Sequence, residues 1–135
     1  MLFLDTSALV KRYVDESGTK AVTALMDADS DWAASALALA EAEIALCHRA
    51  QHEAMVAPLV EALRRDWASF AIVPVDDPCL TRAKEIGCQF GTRTIDSIHL
   101  AAADRLPRPL TFVTFDRRQG AAAAGMGLTV RPTAL

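Results

Sequence analysis

The chain has 135 residues, of which 52% are hydrophobic and 23% charged, with a formal net charge of −3. These proportions exclude an intrinsically disordered chain, and the length is typical of one domain, so we expect a single domain over residues 1–135. A protein that coats nucleic acid with a wide basic face is also excluded, because such domains usually have a pI above ~9.

Cysteine usage and hydropathy predict the cellular compartment. The three cysteines are odd in number and form no C-x-x-C pair, which excludes a disulfide scaffold and fits a reducing environment. No window reaches the ~18 apolar residues of a membrane-spanning helix. Asp5 interrupts the first apolar run and no basic segment precedes it, so no signal peptide is predicted. We therefore expect a soluble, cytoplasmic protein that does not associate with membranes.

The first half of the chain alternates strand and helix signals. Met1–Leu4 is a short apolar run, and Asp5-Thr6-Ser7 provides the polar residues that begin a helix. Helical spacing then continues until Ser17-Gly18. The remaining predicted elements of this half are a helix over about 19–28, a strand over 32–35, helices over about 37–50 and 53–70, and a strand over 71–75. Pro58 fits the last of these helices only if that helix begins late.

The second half continues the alternation. Its predicted elements are a helix from Asp76 to about Cys88, a helix from Thr94 to about Leu106, a strand over 110–114, a helix over about 116–125 and a strand over 128–130. Such alternation predicts an α/β fold built of βαβ units, with a mostly parallel sheet covered on both faces. Ligands bind such sheets beyond the carboxyl ends of the strands.

Acidic residues directly follow two of the predicted strands, and another lies at the start of a predicted helix. Asp5 follows the first strand, Asp116 follows the fourth, and Asp96 stands at the start of its helix. Helix capping explains each one alone, but a doubly wound fold would bring two of them to one edge. Converging carboxylates repel one another unless a cation joins them, and Mg²⁺ or Mn²⁺ prefers such oxygen ligands. The pattern therefore points to metal-dependent phosphate chemistry.

A glutamate on the third predicted helix is a further candidate. At ~100° per residue, Glu41 lies near the stripe formed by Leu37, Ile44 and His48, whereas Glu43 points elsewhere. Helical spacing does not decide between the two glutamates, and a solvated glutamate is the alternative for either. His99, one turn after Asp96, could approach the site but is interpreted as a partly buried structural residue.

Four segments together resemble the PIN-domain nucleases, and most closely the VapC-type toxins of bacterial toxin–antitoxin pairs. The segments are Leu4-Asp5-Thr6-Ser7-Ala8-Leu9, Ser35-Ala36-Leu37-Ala38-Leu39-Ala40-Glu41, Thr94-Ile95-Asp96-Ser97-Ile98-His99-Leu100-Ala101-Ala102-Ala103 and Phe112-Val113-Thr114-Phe115-Asp116. They occur in the family's order and span residues 4–116. The resemblance implies a three-layer α/β/α sandwich with a parallel sheet.

The resemblance also implies an Mg²⁺- or Mn²⁺-dependent endoribonuclease site. The positions that match the family's metal-holding acids are Asp5, Glu41, Asp96 and Asp116. Glu41 is preferred to Glu43 because it follows the family's S-x-L-x-L-A pattern. Ser7 and Thr114 match hydroxyl positions that often line the site.

The same resemblance implies the partners. Such proteins cleave RNA to leave a 5′-phosphate, commonly dimerise, and are blocked by a small antitoxin that wraps the toxin. Arg117 and Arg118 directly follow Asp116, so they are either RNA-phosphate contacts at the rim or ordinary exposed helix charges. The alternative function is a PIN-like domain that binds RNA or protein without cutting, which a missing acid would favour. A phosphatase of the haloacid dehalogenase type is disfavoured, because Ser7 stands where a second acid is needed.

Overall fold

A central sheet of five parallel strands organises the computed structural model, which describes residues 1–133. The strands are β1 (Leu2–Leu4), β2 (Trp32–Ser35), β3 (Ala71–Val73), β4 (Thr111–Val113) and β5 (Thr129–Arg131). They lie in the order β3-β2-β1-β4-β5, and every neighbouring pair is parallel. The predicted α/β class and parallel sheet are confirmed. Positions 134 and 135 of the predicted 1–135 domain lie outside the described residues.

Seven α-helices connect and cover the strands. They are α1 (Thr6–Lys11), α2 (Thr19–Ala28), α3 (Ala38–Arg49), α4 (Val56–Trp67), α5 (Asp77–Phe90), α6 (Thr94–Asp104) and α7 (Arg117–Gly125), within residues 1–133. A short 3-10 helix, Glu53–Met55, precedes α4. None of these helices is long and apolar enough to cross a membrane in this part of the chain.

Two hydrophobic clusters lie on opposite faces of the sheet, because successive strand side chains point in opposite directions. On β1, Phe3 joins the cluster formed with α5, α6 and α7, whereas Leu2 and Leu4 join the cluster formed with α1 to α4. The molecule is therefore the three-layer sandwich that the resemblance implies. The central strand, β1, is buried on both faces, as is usual in parallel sheets.

The first helix is shorter than predicted. Helical spacing predicts that it continues to Ser17, but α1 ends at Lys11. The Lys11 ammonium donates to the carbonyl of Ser17 at 2.7 Å, and Gly18 has a φ of +95°. A Cβ at Gly18 would lie 2.6 Å from a ring carbon of Phe115. The close approach to Phe115 and the positive φ therefore require glycine here, and they turn the chain before α2.

The fourth helix begins late, as Pro58 requires. It starts at Val56, so Pro58 is its third residue and lies where a helix has no internal partner for the missing N–H. The boundary differs from the predicted 53–70 because the 3-10 helix occupies positions 53–55.

Replacement of Phe112 by alanine should strongly destabilise the fold. Phe3 and Phe112 are register partners on β1 and β4, both fully buried, and their rings stack with centroids 5.5 Å apart. We expect Phe112→Ala to lower the free energy of unfolding by about 3–5 kcal/mol, since it leaves a cavity in a close-packed core. Chemical denaturation checks this. Leu80→Ala, at a helix position that is 45% exposed, is the control and should change it by less than about 0.5 kcal/mol. Equal losses in the two variants would contradict the described core.

Candidate active site

A small pocket lies where β1 and β4 end. It has a volume of about 70 Å³ and is lined by Asp5, Thr6, Ser7, Glu41, Asp96, His99, Asp116 and Gln119. Half of these residues are acidic, and they come from four different parts of the chain. Because β1 and β4 are neighbours in a parallel sheet, the residues that follow them meet at one edge. The structure thus brings together the four acids that the sequence predicts.

Asp5 is the most buried of the four acids, with 2% of its surface exposed. Its Oδ1 accepts hydrogen bonds from the Ser7 hydroxyl at 2.7 Å and from the Ala8 amide at 3.0 Å, and its Oδ2 accepts one from the Thr114 hydroxyl. Burial raises the pKa of Asp5, although these hydrogen bonds act in the opposite direction. Asp5 therefore caps α1 and faces the pocket with the same carboxylate.

The two predicted hydroxyl residues support Asp5 from different positions. Ser7 lines the pocket, and its Oγ accepts a hydrogen bond from the amide of Phe115 at 3.0 Å. Thr114 is fully buried, and its hydroxyl accepts a hydrogen bond from the amide of Asp116 at 3.0 Å. The hydroxyls of Ser7 and Thr114 lie 3.4 Å apart. Together they join the end of β4 to the beginning of α1.

Asp96 and Asp116 occupy different places on their helices. Asp116 caps α7, because its Oδ1 accepts a hydrogen bond from the amide of Gln119 at 2.9 Å. Asp96 is the third residue of α6, whose capping residue is Arg93, so the capping interpretation of Asp96 is wrong. Burial and then the charge of Asp116 raise the pKa of Asp96. The pocket therefore disfavours the ionised form of Asp96.

The structure separates Glu41 from Glu43. Glu41 lines the pocket, and its Oε1 accepts hydrogen bonds from His99 Nε2 at 2.6 Å and from the Thr6 hydroxyl at 2.8 Å. Burial would raise the pKa of Glu41, but the bonds from His99 and Thr6 outweigh it and lower that pKa. Glu43 instead forms an ion pair with Arg64 on α4, with 2.6 Å between Oε1 and Nε.

Three further residues of the pocket were not predicted to belong to it. Thr6 and His99 bond Glu41, and the buried Gln119 donates from its side-chain amide to the carbonyl of Asp96 at 3.2 Å. The sequence offers one signal for two of these residues: His99 follows Asp96 by three residues, and Gln119 follows Asp116 by three residues. Residues spaced by three share a helix face.

Both arginines that follow Asp116 are exposed and lie outside the pocket lining. Arg117 lines a separate cavity of about 450 Å³, together with residues of α7 and of the segment from Val130 to Thr133. Any contact that Arg117 and Arg118 make with a bound polymer is therefore at the surface beside the pocket.

The donors of the pocket fit a hard divalent cation. Four carboxylates are the oxygen ligands that Mg²⁺ and Mn²⁺ prefer, and burial, the main cause of the raised pKa values of Asp5 and Asp96, would be offset by a bound cation. As arranged here, no three His, Cys, Asp or Glu side chains of residues 1–133 form a group that could hold a metal ion. Several of their oxygens instead accept hydrogen bonds from the protein.

Comparison with known proteins decides the family. The PIN domain profile matches residues 2–125, which is most of the chain and includes all four acids. The chain belongs to the PIN-domain family. Among relatives of this PIN domain is Ribonuclease VapC46 of Mycobacterium tuberculosis (strain ATCC 25618 / H37Rv), 34% identical over 130 residues. That match covers 96% of this chain and 95% of the relative.

Solved structures share the fold of this PIN domain. Mycobacterium tuberculosis VapC20, described as a sarcin-ricin loop cleaving toxin, superposes with a TM-score of 0.73 at 18% identity, over 90% of this chain and 95% of that one. A toxin–antitoxin complex from Klebsiella pneumoniae superposes with a TM-score of 0.69 at 18% identity, over 90% and 91%. The fold implied by the sequence motifs is thus confirmed.

Replacement of Asp96 by asparagine should not destabilise this PIN domain. Folding raises the pKa of Asp96. The neutral Asp96 carboxyl therefore contributes to the free energy of unfolding at low pH, and this contribution is lost as the pH rises through the pKa of Asp96 in the folded state. We expect metal-free Asp96→Asn to melt at neutral pH no lower than the unaltered protein. Any gain should shrink on acidification, as the native carboxyl takes up its proton.

The matched control lies on the same helix. Asp104 accepts hydrogen bonds from Arg82 at 2.9 Å and Arg108 at 3.0 Å, so Asp104→Asn should lower the melting temperature at neutral pH. A scan of melting temperature against pH checks both variants. A large loss of stability in Asp96→Asn would make Asp96 a structural residue.

Proposed function

We propose that this PIN domain is an endoribonuclease that hydrolyses RNA phosphodiester bonds with Mg²⁺ or Mn²⁺, and that it is the toxin of a toxin–antitoxin pair. The observation that carries the proposal is the set of four carboxylates around one pocket. Similarity to the relative named Ribonuclease VapC46, over nearly the whole of both chains, supports the RNA substrate.

In this proposal the metal-holding residues are Asp5, Glu41, Asp96 and Asp116. When bound, the divalent ion supplies a water of lowered pKa and offsets the negative charge of the phosphate. The protein contributes carboxylates that are already oriented: the hydrogen bonds from Ser7, Ala8 and Thr114 hold Asp5, and the bond from Gln119 holds Asp116. Hydrolysis adds the elements of water across one P–O bond and leaves a 5′-phosphate.

The size of the pocket limits how RNA is bound. A volume of about 70 Å³ is well below the roughly 300–1,000 Å³ of pockets that enclose a small molecule, so in this proposal the pocket receives a phosphate group and not a whole nucleotide. One phosphate approaches the mouth while the bases remain on the surrounding surface. Arg117 and Arg118 are exposed beside Asp116, and we assign them phosphate contacts at this rim.

The proposed partners follow from the toxin assignment. A similar fold occurs in the Klebsiella pneumoniae toxin–antitoxin complex, which supports a small antitoxin partner for this chain. An antitoxin with a basic side chain suits a pocket of four carboxylates. We further propose a homodimer that acts in the cytoplasm, where its RNA substrate is made.

Purified protein, freed of any antitoxin, should cut total bacterial RNA at discrete sites. Cleavage should require Mg²⁺ or Mn²⁺, stop when a chelator is added, and be absent in the Asp5→Ala/Asp96→Asn double variant, which lacks two of the four carboxylates. Sequencing of new 5′ ends checks this and names the substrate. Asp104→Asn, which changes an acid outside the pocket, is the control and should cut as the unaltered protein does.

The outcomes separate the two functions that the sequence allows. Cleavage that persists with chelator or in the double variant would contradict the site. Retention of RNA without any cut, by the unaltered protein and the double variant alike, would instead favour a binding domain.

Expression in a bacterial host without an antitoxin should arrest growth, because cleaved RNA cannot support translation. Asp5→Ala should restore growth, since this substitution removes the most buried carboxylate of the pocket. Growth curves after induction check this, with protein levels measured by immunoblot. Arrest by Asp5→Ala at equal protein level would overturn the role of Asp5.

A further inference from the structure

Glu41 differs from Asp5 in how its carboxylate is held. The Glu41 side chain is 32% exposed, and both of its hydrogen bonds, from His99 and Thr6, reach the same oxygen, Oε1. Within residues 1–133, no group of the protein donates a hydrogen bond to Oε2 of Glu41. A long, partly exposed glutamate otherwise samples several rotamers, at a cost in entropy when it is fixed. The two donors thus restrict Glu41 while they leave one oxygen available.

The His99 ring is itself held by a contact on the side opposite Glu41. Its ring is 2% exposed on α6, one turn after Asp96, and its Nδ1 lies 2.9 Å from the hydroxyl of Ser35. Ser35 is fully buried at the end of β2. A carboxylate accepts only, so the Nε2 that faces Glu41 carries the proton. In the neutral ring, Nδ1 then accepts the hydroxyl proton of Ser35, which selects that tautomer.

We propose that His99, oriented by Ser35, is a positioning residue that presents the free oxygen of Glu41 to the pocket. This inference rests on the proposed function, because it gives Glu41 a metal-holding role. A line of contacts from Ser35 through His99 to Glu41 connects β2, α6 and α3. Hydrogen-bond partners of metal-holding carboxylates typically affect metal affinity or activity by ~10–100-fold when removed.

Two substitutions of His99 separate positioning from packing. The amide nitrogen of glutamine reaches about as far as Nε2, so His99→Gln keeps a donor toward Glu41 and loses the contact with Ser35. The amide of asparagine reaches about as far as Nδ1, so His99→Asn keeps the contact with Ser35 and loses the donor. Both remove the buried ring, which makes them matched controls for packing.

The measurements are RNA cleavage kinetics, Mn²⁺ affinity by calorimetry and melting temperature. We expect His99→Asn to lower kcat and to weaken Mn²⁺ binding by ~10–100-fold, with little change in KM because the bases of RNA bind outside the pocket. His99→Gln should retain most of the activity and affinity. The melting temperatures of the two variants should be similar. Ser35→Ala should fall between His99→Asn and the unaltered protein.

The outcomes distinguish this inference from the proposed function. Activity and affinity that fall equally in both His99 variants, in parallel with melting temperature, would make His99 a structural residue and overturn the inference. If the unaltered protein cuts no RNA yet His99→Asn alone weakens Mn²⁺ binding, the ribonuclease proposal fails and the positioning role holds. An unaltered protein that binds no Mn²⁺ would overturn both.

Discussion

The arrangement of the site depends on one buried carboxylate. Asp5 lies at the carboxyl end of the central strand, and its oxygens accept hydrogen bonds from residues of α1 and from Thr114 at the end of β4. The two hydroxyls that bond Asp5 also accept backbone amides of the chain leading into α7. The position of Asp116 therefore follows from that of Asp5. A buried charge is costly unless such bonds satisfy it, so this group serves the fold and the chemistry together.

The four acids of the pocket illustrate a conflict between stability and function. His99 donates a hydrogen bond to Glu41 and so helps to lower the pKa of Glu41. Burial instead raises the pKa of Asp5 and Asp96. A pocket with unrelieved negative charge lowers the stability of the empty protein but attracts a cation. Binding of a cation to the folded state alone then stabilises the fold by mass action. The same unrelieved charge attracts any basic group that an inhibitor offers.

The strand and helix order was predictable, and so was the convergence of Asp5 and Asp116, because both depend on local periodicity and the geometry of parallel sheets. The end of α1 was not predictable in this way. The segment between α1 and α2 packs against a distant part of the chain, since Gly18 approaches Phe115, a residue almost a hundred positions away. Similarly, Asp96 has the sequence context of a cap, yet α6 begins at Thr94 after Arg93.

The choice between Glu41 and Glu43 shows the same limit. Both lie on α3, and helical spacing alone leaves them equivalent. What separates them is supplied by other elements, since Thr6 and His99 surround Glu41 while Arg64 of α4 pairs with Glu43. The family motif selects the glutamate that lines the pocket because it carries that tertiary information. The sequence places His99 on an apolar helix and gives no sign of Ser35 or Glu41, its partners in the structure.

The order of the strands also affects how the protein is made. β1 precedes the other four strands in the sequence but lies in the middle of the sheet, between β2 and a β4 that follows about a hundred residues later. During translation Asp5 has neither Thr114 nor the Asp116 loop beside it until β4 has left the ribosome. The nascent chain therefore carries an incomplete pocket until β4 and the residues after it have been made. A fragment that ends before β4 lacks the Thr114 hydroxyl and the Asp116 carboxylate, so it does not contain a complete pocket.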